Sequence, residues 1–297
     1  MTIKNVTVAG SGVLGAQIAL QAAYHGFRVT VYDINDAALD KAKATFERIA
    51  AAYRQDLHAG DESIAAAFSR LDTTTDLAAS VKDADLLIEA IPENPAIKTA
   101  FYQQLAAVAP AKTIFATNTS TLLPSMFAEA TGRPEKFLAL HFANEIWKHN
   151  TAEIMGHAGT DKAVFDTIVA FAKDIGMIAL PLHKEQPAYI LNSLLVPFLS
   201  AASALWANGV ADPETIDKTW MAATGAPVGP FATLDIVGIT TAYNINKMAA
   251  DAAPDPLKLK IVALMKAMID EGKLGVASGE GFYKYPDPAY KASDFLK

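Results

Sequence analysis

The stretch from Ile3 to Leu20 constrains this chain more than any other. It reads Ile-Lys-Asn-Val-Thr-Val-Ala, then Gly10-Ser11-Gly12-Val13-Leu14-Gly15, then Ala-Gln-Ile-Ala-Leu. That is a β-branched run, a G-x-G-x-x-G turn and an apolar helix start, in that order. Gly10 permits the tight turn, Gly12 lets a pyrophosphate reach the backbone, and Gly15 lets the helix lie close to the strand. The first amides of the helix, at Val13 and Leu14, then face the phosphates. A second strand over 27–32 ends at Asp33, an acid about 20 residues on, as this arrangement requires. Such an acid accepts hydrogen bonds from the hydroxyls of an adenosine ribose and would repel a 2′-phosphate. Ile34, Asn35 and Asp36 follow it with no Arg or Lys, so NAD is expected rather than NADP. The plainer reading, a glycine-rich turn with Asp33 as a helix cap, leaves the second strand and its spacing unexplained.

At 297 residues the chain is long enough for two domains, each with its own core. A net charge of −7 argues against nucleic acid as a partner. The absence of cysteine excludes a disulfide framework, a thiolate nucleophile and a zinc–thiolate site, and no metal site is expected. The N-terminus runs straight into the first strand, so no signal peptide and a cytoplasmic location are expected. Gln186 to Ala211 holds no charged residue, and residues 188–210 are long enough to span a bilayer. Asn192, Pro197, Asn208 and several serines interrupt it, and no basic cluster sets an orientation. It reads as a buried helix at a domain or subunit interface, with no membrane partner.

Strands read at about residues 3–9, 27–32, 85–91, 113–117, 136–141, 152–156 and 177–181, with apolar-periodic helices between most of them. This is the pattern of an α/β, doubly wound Rossmann-type sheet. Residues 36–70 insert two helical segments, broken near His58-Ala59-Gly60-Asp61, where a simple unit would have one. Their Lys41, Lys43, Arg48, Arg54 and Arg70 could face an anionic ligand, although such residues more often form a solvated helix face. Past Pro187 the chain reads as all-helical, at about 188–208, 213–223, 230–249 and 256–271. The expected organisation is a dinucleotide-binding domain over 1–185 and a helical domain over 186–297.

Ligands of doubly wound sheets sit outside the carboxyl ends of the strands. Those ends carry Glu93 and Asn94, then Asn118-Thr119-Ser120, then His141-Phe142-Ala143-Asn144, and the next strand carries Glu153. Oxidising an alcohol with NAD needs a base for the hydroxyl proton, and an imidazole suits that task. A carboxylate on the second ring nitrogen would fix the tautomer and stabilise the imidazolium, while Ser120 and an amide could hold substrate oxygens. Against these stand a structural His141, a sheet-edge Glu153 and a Ser120 that caps the helix after Leu123-Pro124. His25, His58, His149, His157 and His183 lie in no motif.

These residues together resemble the L-3-hydroxyacyl-CoA dehydrogenase family, over essentially the whole chain. The resemblance rests on the glycine turn with Asp33, on Ala90-Ile91-Pro92-Glu93-Asn94 with Lys98, and on Asn118-Thr119-Ser120. It continues in His141-Phe142-Ala143-Asn144 with Glu153 twelve residues on, in Asn192, in Gly229-Pro230-Phe231 with Leu234-Asp235 and Gly238, and in Gly279-Glu280-Gly281-Phe282-Tyr283. It implies that His141 is the base, that Glu153 orients it, and that Ser120 binds the substrate hydroxyl. It also implies that Asn192 contacts the carbonyl side, and that Glu93, Lys98, Asn118 and Asn144 lie around the cofactor. A homodimer through the C-terminal helices, and a short-chain substrate such as 3-hydroxybutyryl-CoA, are implied in the same way.

The chain departs from the family twice. Glu145 stands where the family usually has proline after the His-Phe-x-Asn unit, and the segment Leu274–Glu280 lacks the usual positive charge. CoA is a multiply charged anion whose sites normally carry Arg or Lys. Two substrates therefore stay open: an L-3-hydroxyacyl-CoA thioester, or a free 3-hydroxy acid as in gulonate dehydrogenase-like enzymes. A crystallin-like NAD-binding protein without turnover is the third reading, although such a scaffold has no need of His141, Glu153, Ser120 and Asn192 together.

Overall fold

A computed structural model describes residues 2–297. The chain divides into two units, one ending at Ile190 and one running Leu191–Lys297. In the first, β1 (Asn5–Ala9), α1 (Val13–Tyr24), β2 (Arg28–Tyr32), α2 (Asp36–Leu57) and α3 (Asp61–Phe68) follow in order. Then come β3 (Leu71–Thr74), α4 (Leu77–Val81), β4 (Leu86–Glu89), α5 (Pro95–Val108), β5 (Ile114–Thr117), β6 (Phe137–Phe142), β7 (Thr151–Met155), α6 (Lys162–Asp174) and β8 (Ile178–Leu182). The strands form one sheet ordered β3-β2-β1-β4-β5-β6-β7-β8. It is the expected doubly wound sheet, reversing strand order between β1 and β4.

Both faces of this sheet are covered, and its strands alternate between two cores, as a sheet with helices on either side requires. Val6, Val8, Val29, Val31, Leu86 and Ile88 pack with Ile18, Phe46, Ile64 and Ile168 from α1, α2, α3 and α6. Leu87, Phe115 and Phe137 pack with Phe101, Tyr102 and Leu105 of α5. The two inserted helices break where expected: α2 ends at His58 in the left-handed conformation (φ 54°) and α3 starts at the Gly60 cap. Two features differ from the sequence reading. β3 is an additional edge strand, carried by its parallel pairing with β2 rather than by apolar content. β7 runs antiparallel to β6, whereas the other neighbouring pairs are parallel.

The second unit consists of α7 (Tyr189–Ala207, which begins in the last two residues of the first unit), α8 (Pro213–Thr224), α9 (Pro230–Val237), α10 (Ile239–Ala252) and α11 (Pro256–Asp270), followed by an irregular tail. Helix 230–249 of the sequence reading is two helices. Gly238 (φ 91°) ends α9, and the amide of Ile239 leaves the helical ladder to bond Leu274 O at 3.0 Å. One stripe of α7, including Leu199, Ala202 and Ala207, packs with Met221, Phe231, Ile261 and Tyr283. Its other side stays exposed at Leu191, Leu194 and Leu205, with Leu194 69% exposed. The helix is therefore not buried within the chain. It is long and apolar enough to cross a membrane, with 22% of its most apolar window buried.

Two carboxylates hold this unit together from inside. Asp217 accepts from Phe231 N and Ala232 N at 2.8 Å and from the Tyr283 hydroxyl at 3.0 Å. Asp235 accepts from Phe282 N, Tyr283 N and the Tyr285 hydroxyl at 2.8–3.0 Å. Burial raises both carboxyl pKa values, against the pull of these donors. A Cβ on Gly229 would lie 2.3 Å from Asp217 Cγ, and one on Gly281 would lie 2.0 Å from Asp235 Oδ1. Both glycines are thus required by packing against a buried carboxylate. Gly281→Ala is expected to destabilise the protein by about 2–3 kcal/mol, seen as a lower urea midpoint at unchanged slope.

Candidate active site

The glycine turn is shaped by contacts that leave no room for side chains. Gly10 has φ 98°, and a Cβ there would fall 2.5 Å from Ala90 O. A Cβ on Gly15 would fall 1.9 Å from Gly10 O, whereas one on Gly12 would meet nothing within 4 Å. Gly12 caps α1 without a side-chain bond, so the amides of Val13 and Leu14 at the head of α1 face that open space. Asp33, just past β2, is aimed at the same turn. Its Oδ2 accepts from Ser11 N at 2.8 Å and Ser11 Oγ at 2.5 Å, and its Oδ1 accepts from Ile34 N at 2.7 Å. An open anion cradle beside a fixed carboxylate fits the pyrophosphate and ribose of a dinucleotide.

The reversal of β7 brings His141 and Glu153 together. His141 of β6 and Glu153 of β7 are direct partners in the antiparallel register, so their side chains leave the sheet on the same face. His141 Nδ1 and Glu153 Oε2 lie 3.0 Å apart, and both residues are buried. An ionised carboxylate only accepts, so Nδ1 is the donor, and in the neutral imidazole the lone pair is then on Nε2. Glu153 Oε1 accepts from Ile190 N at 2.8 Å. The carboxylate is held at both oxygens. The face of the imidazole is covered by Tyr189, with ring centroids 4.5 Å apart and planes 21° from parallel.

The loop that carries Ser120 hangs on Glu93. Glu93 Oε1 accepts from Thr119 Oγ1, from Ser120 N and Thr121 N at 3.1 Å, and from Thr121 Oγ1 at 2.9 Å. Burial raises the Glu93 pKa, but the Thr119 hydroxyl, the Lys98 charge and the Thr121 donors outweigh it and hold the carboxyl below its usual range. Lys98 bridges Glu93 Oε2 at 3.3 Å and Glu89 Oε1 at 2.6 Å, with Lys98 1% and Glu89 0% exposed as side chains. Thr119, through its bond from Leu122 N, closes the turn after Ser120. Among the described residues nothing hydrogen-bonds the Ser120 hydroxyl, and the helix at Pro124–Met126 takes no side-chain cap. Ser120 is thus not a capping residue.

Two further amides set the strand ends. Asn118 Oδ1 accepts from Phe142 N at 3.0 Å, tying the end of β5 to the end of β6. Gln17 of α1 donates to Asn144 Oδ1 at 2.7 Å and accepts from Glu145 N at 2.8 Å and Ile146 N at 3.3 Å. Glu145 has φ 57°, a conformation closed to proline, whose ring holds φ near −65°. Proline would also lack the N–H that Gln17 accepts. The loop after His141 therefore follows a path that a proline there would forbid.

The NAD-binding domain of the 3-hydroxyacyl-CoA dehydrogenases matches residues 5–186, and their C-terminal domain matches residues 189–285. The chain belongs to the 3-hydroxyacyl-CoA dehydrogenase family. It is 37% identical to the human mitochondrial hydroxyacyl-coenzyme A dehydrogenase, over 95% of this chain and 91% of that one. It is 31% identical to a probable 3-hydroxybutyryl-CoA dehydrogenase of Bacillus subtilis, over 97% and 99%. The solved structure of a diketoreductase acting on dicarbonyl compounds superposes with a TM-score of 0.91 at 55% identity, covering 96% of this chain and 100% of that one. The cofactor is NAD, as the matched cofactor domain and Asp33 agree.

For a 3-hydroxyacyl-CoA dehydrogenase, the residues expected around chemistry fall into two groups. His141, Glu153, Ser120, Asn118, Asn144 and Glu93 lie at the carboxyl ends of β5 and β6, on β7, and in the loop just beyond β4. Lys98 is enclosed between the carboxylates of Glu89 and Glu93 and presents no exposed ammonium. Asn192 lies on α7 in the second unit. Of the basic residues of the insertion, Lys43 pairs with Asp40, Arg54 with Asp61, and Arg70 bonds Ala23 O. Lys43 and Arg54 behave as a solvated helix face, whereas Arg70 lies in the turn past α3, part-buried against the end of α1. Sequence reasoning missed Gln17, Glu89 and Tyr189; a buried amide in an otherwise apolar helix was the one available signal, for Gln17. Glu153→Gln, which keeps the shape but not the charge opposite Nδ1, is expected to lower kcat by about 10²–10⁴-fold, with the Kd for NADH unchanged by fluorescence titration.

Proposed function

We propose that the protein interconverts short-chain L-3-hydroxyacyl-CoA and 3-ketoacyl-CoA thioesters with NAD. The observation that carries this reading is His141 held at Nδ1 by Glu153 across β6 and β7, at the end of the sheet where the cofactor turn lies. When bound, NAD supplies the hydride acceptor. His141 Nε2 takes the substrate hydroxyl proton as the carbinol carbon becomes a carbonyl, and returns it in the reductive direction. Glu153 stabilises the imidazolium so formed, and Ser120, fixed by Glu93, offers its hydroxyl to the substrate oxygen. Asn192 is assigned to the carbonyl side of the substrate.

A second reading uses the same residues on a substrate without CoA. It is favoured by the 55% identity to a diketoreductase and by the lack of basic residues in Leu274–Glu280. NADH absorbance followed with 3-hydroxybutyryl-CoA, free 3-hydroxybutyrate, gulonate and a CoA-free dicarbonyl compound separates the two. The thioester is expected to exceed the CoA-free compounds in kcat/KM by at least about 10-fold, a difference of roughly 1.4 kcal/mol in transition-state binding. Turnover of CoA-free compounds alone would replace the first reading by the second. Near-normal turnover by His141→Ala would remove the base from both.

We also infer a homodimer through the helices of the second unit. The support is the apolar face of α7, exposed at Leu191, Leu194 and Leu205, since a face of this kind marks an association surface. Leu194→Glu is expected to shift the mass measured by light scattering from dimer to monomer. A mass equal to one chain for the unmodified protein would sink this assignment.

A further inference from the structure

Beyond the pair already described, the most constrained group near His141 is Tyr189. It is fully buried, although it is the first residue of α7, directly after the link from β8. Ala188 (φ 65°) and Tyr189 (φ 55°) are both left-handed, a conformation that disfavours side chains and persists only where surroundings impose it. Here they do. Ser125 N donates to Glu185 Oε1 at 2.8 Å, Gln186 N to Met155 Sδ at 3.1 Å, and Ile190 N to Glu153 Oε1 at 2.8 Å. The ring itself is packed with Ala139, Met155, Leu182 and Leu123.

One hydrogen bond at Nδ1 fixes an edge of an imidazole but leaves it free to tilt about that bond. A flat ring 4.5 Å away and 21° from parallel removes the tilt, so that the edge and the face together decide where Nε2 points. We propose that Tyr189 is the positioning residue of the catalytic base: its ring sets the plane of His141, while the backbone turn that presents it also secures Glu153. The inference rests on His141 being the base. The negative face of an aromatic ring also suits a neighbour that becomes cationic during turnover. The groups around the stack are Glu153 on His141, and Glu93, Glu153 and Glu89 beside the phenol. Burial and these carboxylates push the phenol pKa far up, so the ring stays neutral and its hydroxyl is no competing acid.

Tyr189→Phe, which keeps the ring, is expected to retain kcat within about 3-fold. Tyr189→Leu is expected to lose about 10–100-fold in kcat, the range for a misplaced catalytic group, with the Kd for NADH and the substrate KM within about 3-fold of the unmodified protein. Proton NMR of the unmodified protein gives an independent reading that needs no stable variant. The His141 ring protons, identified by their loss in His141→Ala, should lie upfield of ordinary histidine positions because of the overlying ring. Full turnover by Tyr189→Leu, an equal loss in Tyr189→Phe, or unshifted His141 ring protons would each overturn the proposal. If His141→Ala also turned over normally, the failure would lie in the base assignment beneath it.

Discussion

Glu89 has no contact with solvent, and a carboxylate in that position is tolerable only if the chain answers it on every side. It does so with Lys98 Nζ at 2.6 Å, Ile91 N and the Tyr102 hydroxyl at 2.9 Å, and Thr117 Oγ1 at 2.8 Å. Those donors come from α5, from the end of β5 and from the loop after β4, so one buried charge gathers three segments. Lys98 then passes the constraint on to Glu93, and Glu93 to the backbone of Ser120. The Tyr102 phenol, raised by burial and by the Glu89 charge, remains a donor. Removing any single member would leave a buried charge without its partner. The position of Ser120 is in this sense an outcome of electrostatics inside the sheet.

How much of this was legible in the sequence depended on how local the cause was. The glycine turn and Asp33 could be read because tight turn, helix head and acid lie within two adjacent strands. The family resemblance implied that Glu153 orients His141, but only the antiparallel return of β7 makes them face each other. Nothing in the composition of Thr151–Met155 records that direction. β3 escaped because Leu71-Asp72-Thr73-Thr74 has one apolar residue and owes its strand to its neighbour. Tyr189 escaped because an aromatic in an apolar run is ordinarily core. Its contact with His141 exists only through two left-handed residues that no pattern announces.

The late signature of the family has a reading that is structural rather than chemical. Gly229 and Gly281 are small because Asp217 and Asp235 occupy the space a methyl group would need. The amides of Phe231, Ala232, Phe282 and Tyr283 are the donors those carboxylates require. A motif remote in sequence from the base thus registers the architecture of the helical unit. Its part is to hold the helical unit, and it says nothing about the substrate.

The loop after His141 has its own anchor far away in sequence. Trp147 donates its indole N–H to Asp56 at 2.8 Å and lies on Tyr53, while Lys148 reaches the same carboxylate at 2.9 Å. Those donors hold the Asp56 carboxyl below its ordinary pKa, the indole first. The shape of the segment that begins at Glu145 is therefore stored partly on α2. The unit of inheritance is a pair of segments. Transplanting residues 145–148 into a relative without Tyr53 and Asp56 would carry over the letters and lose the conformation.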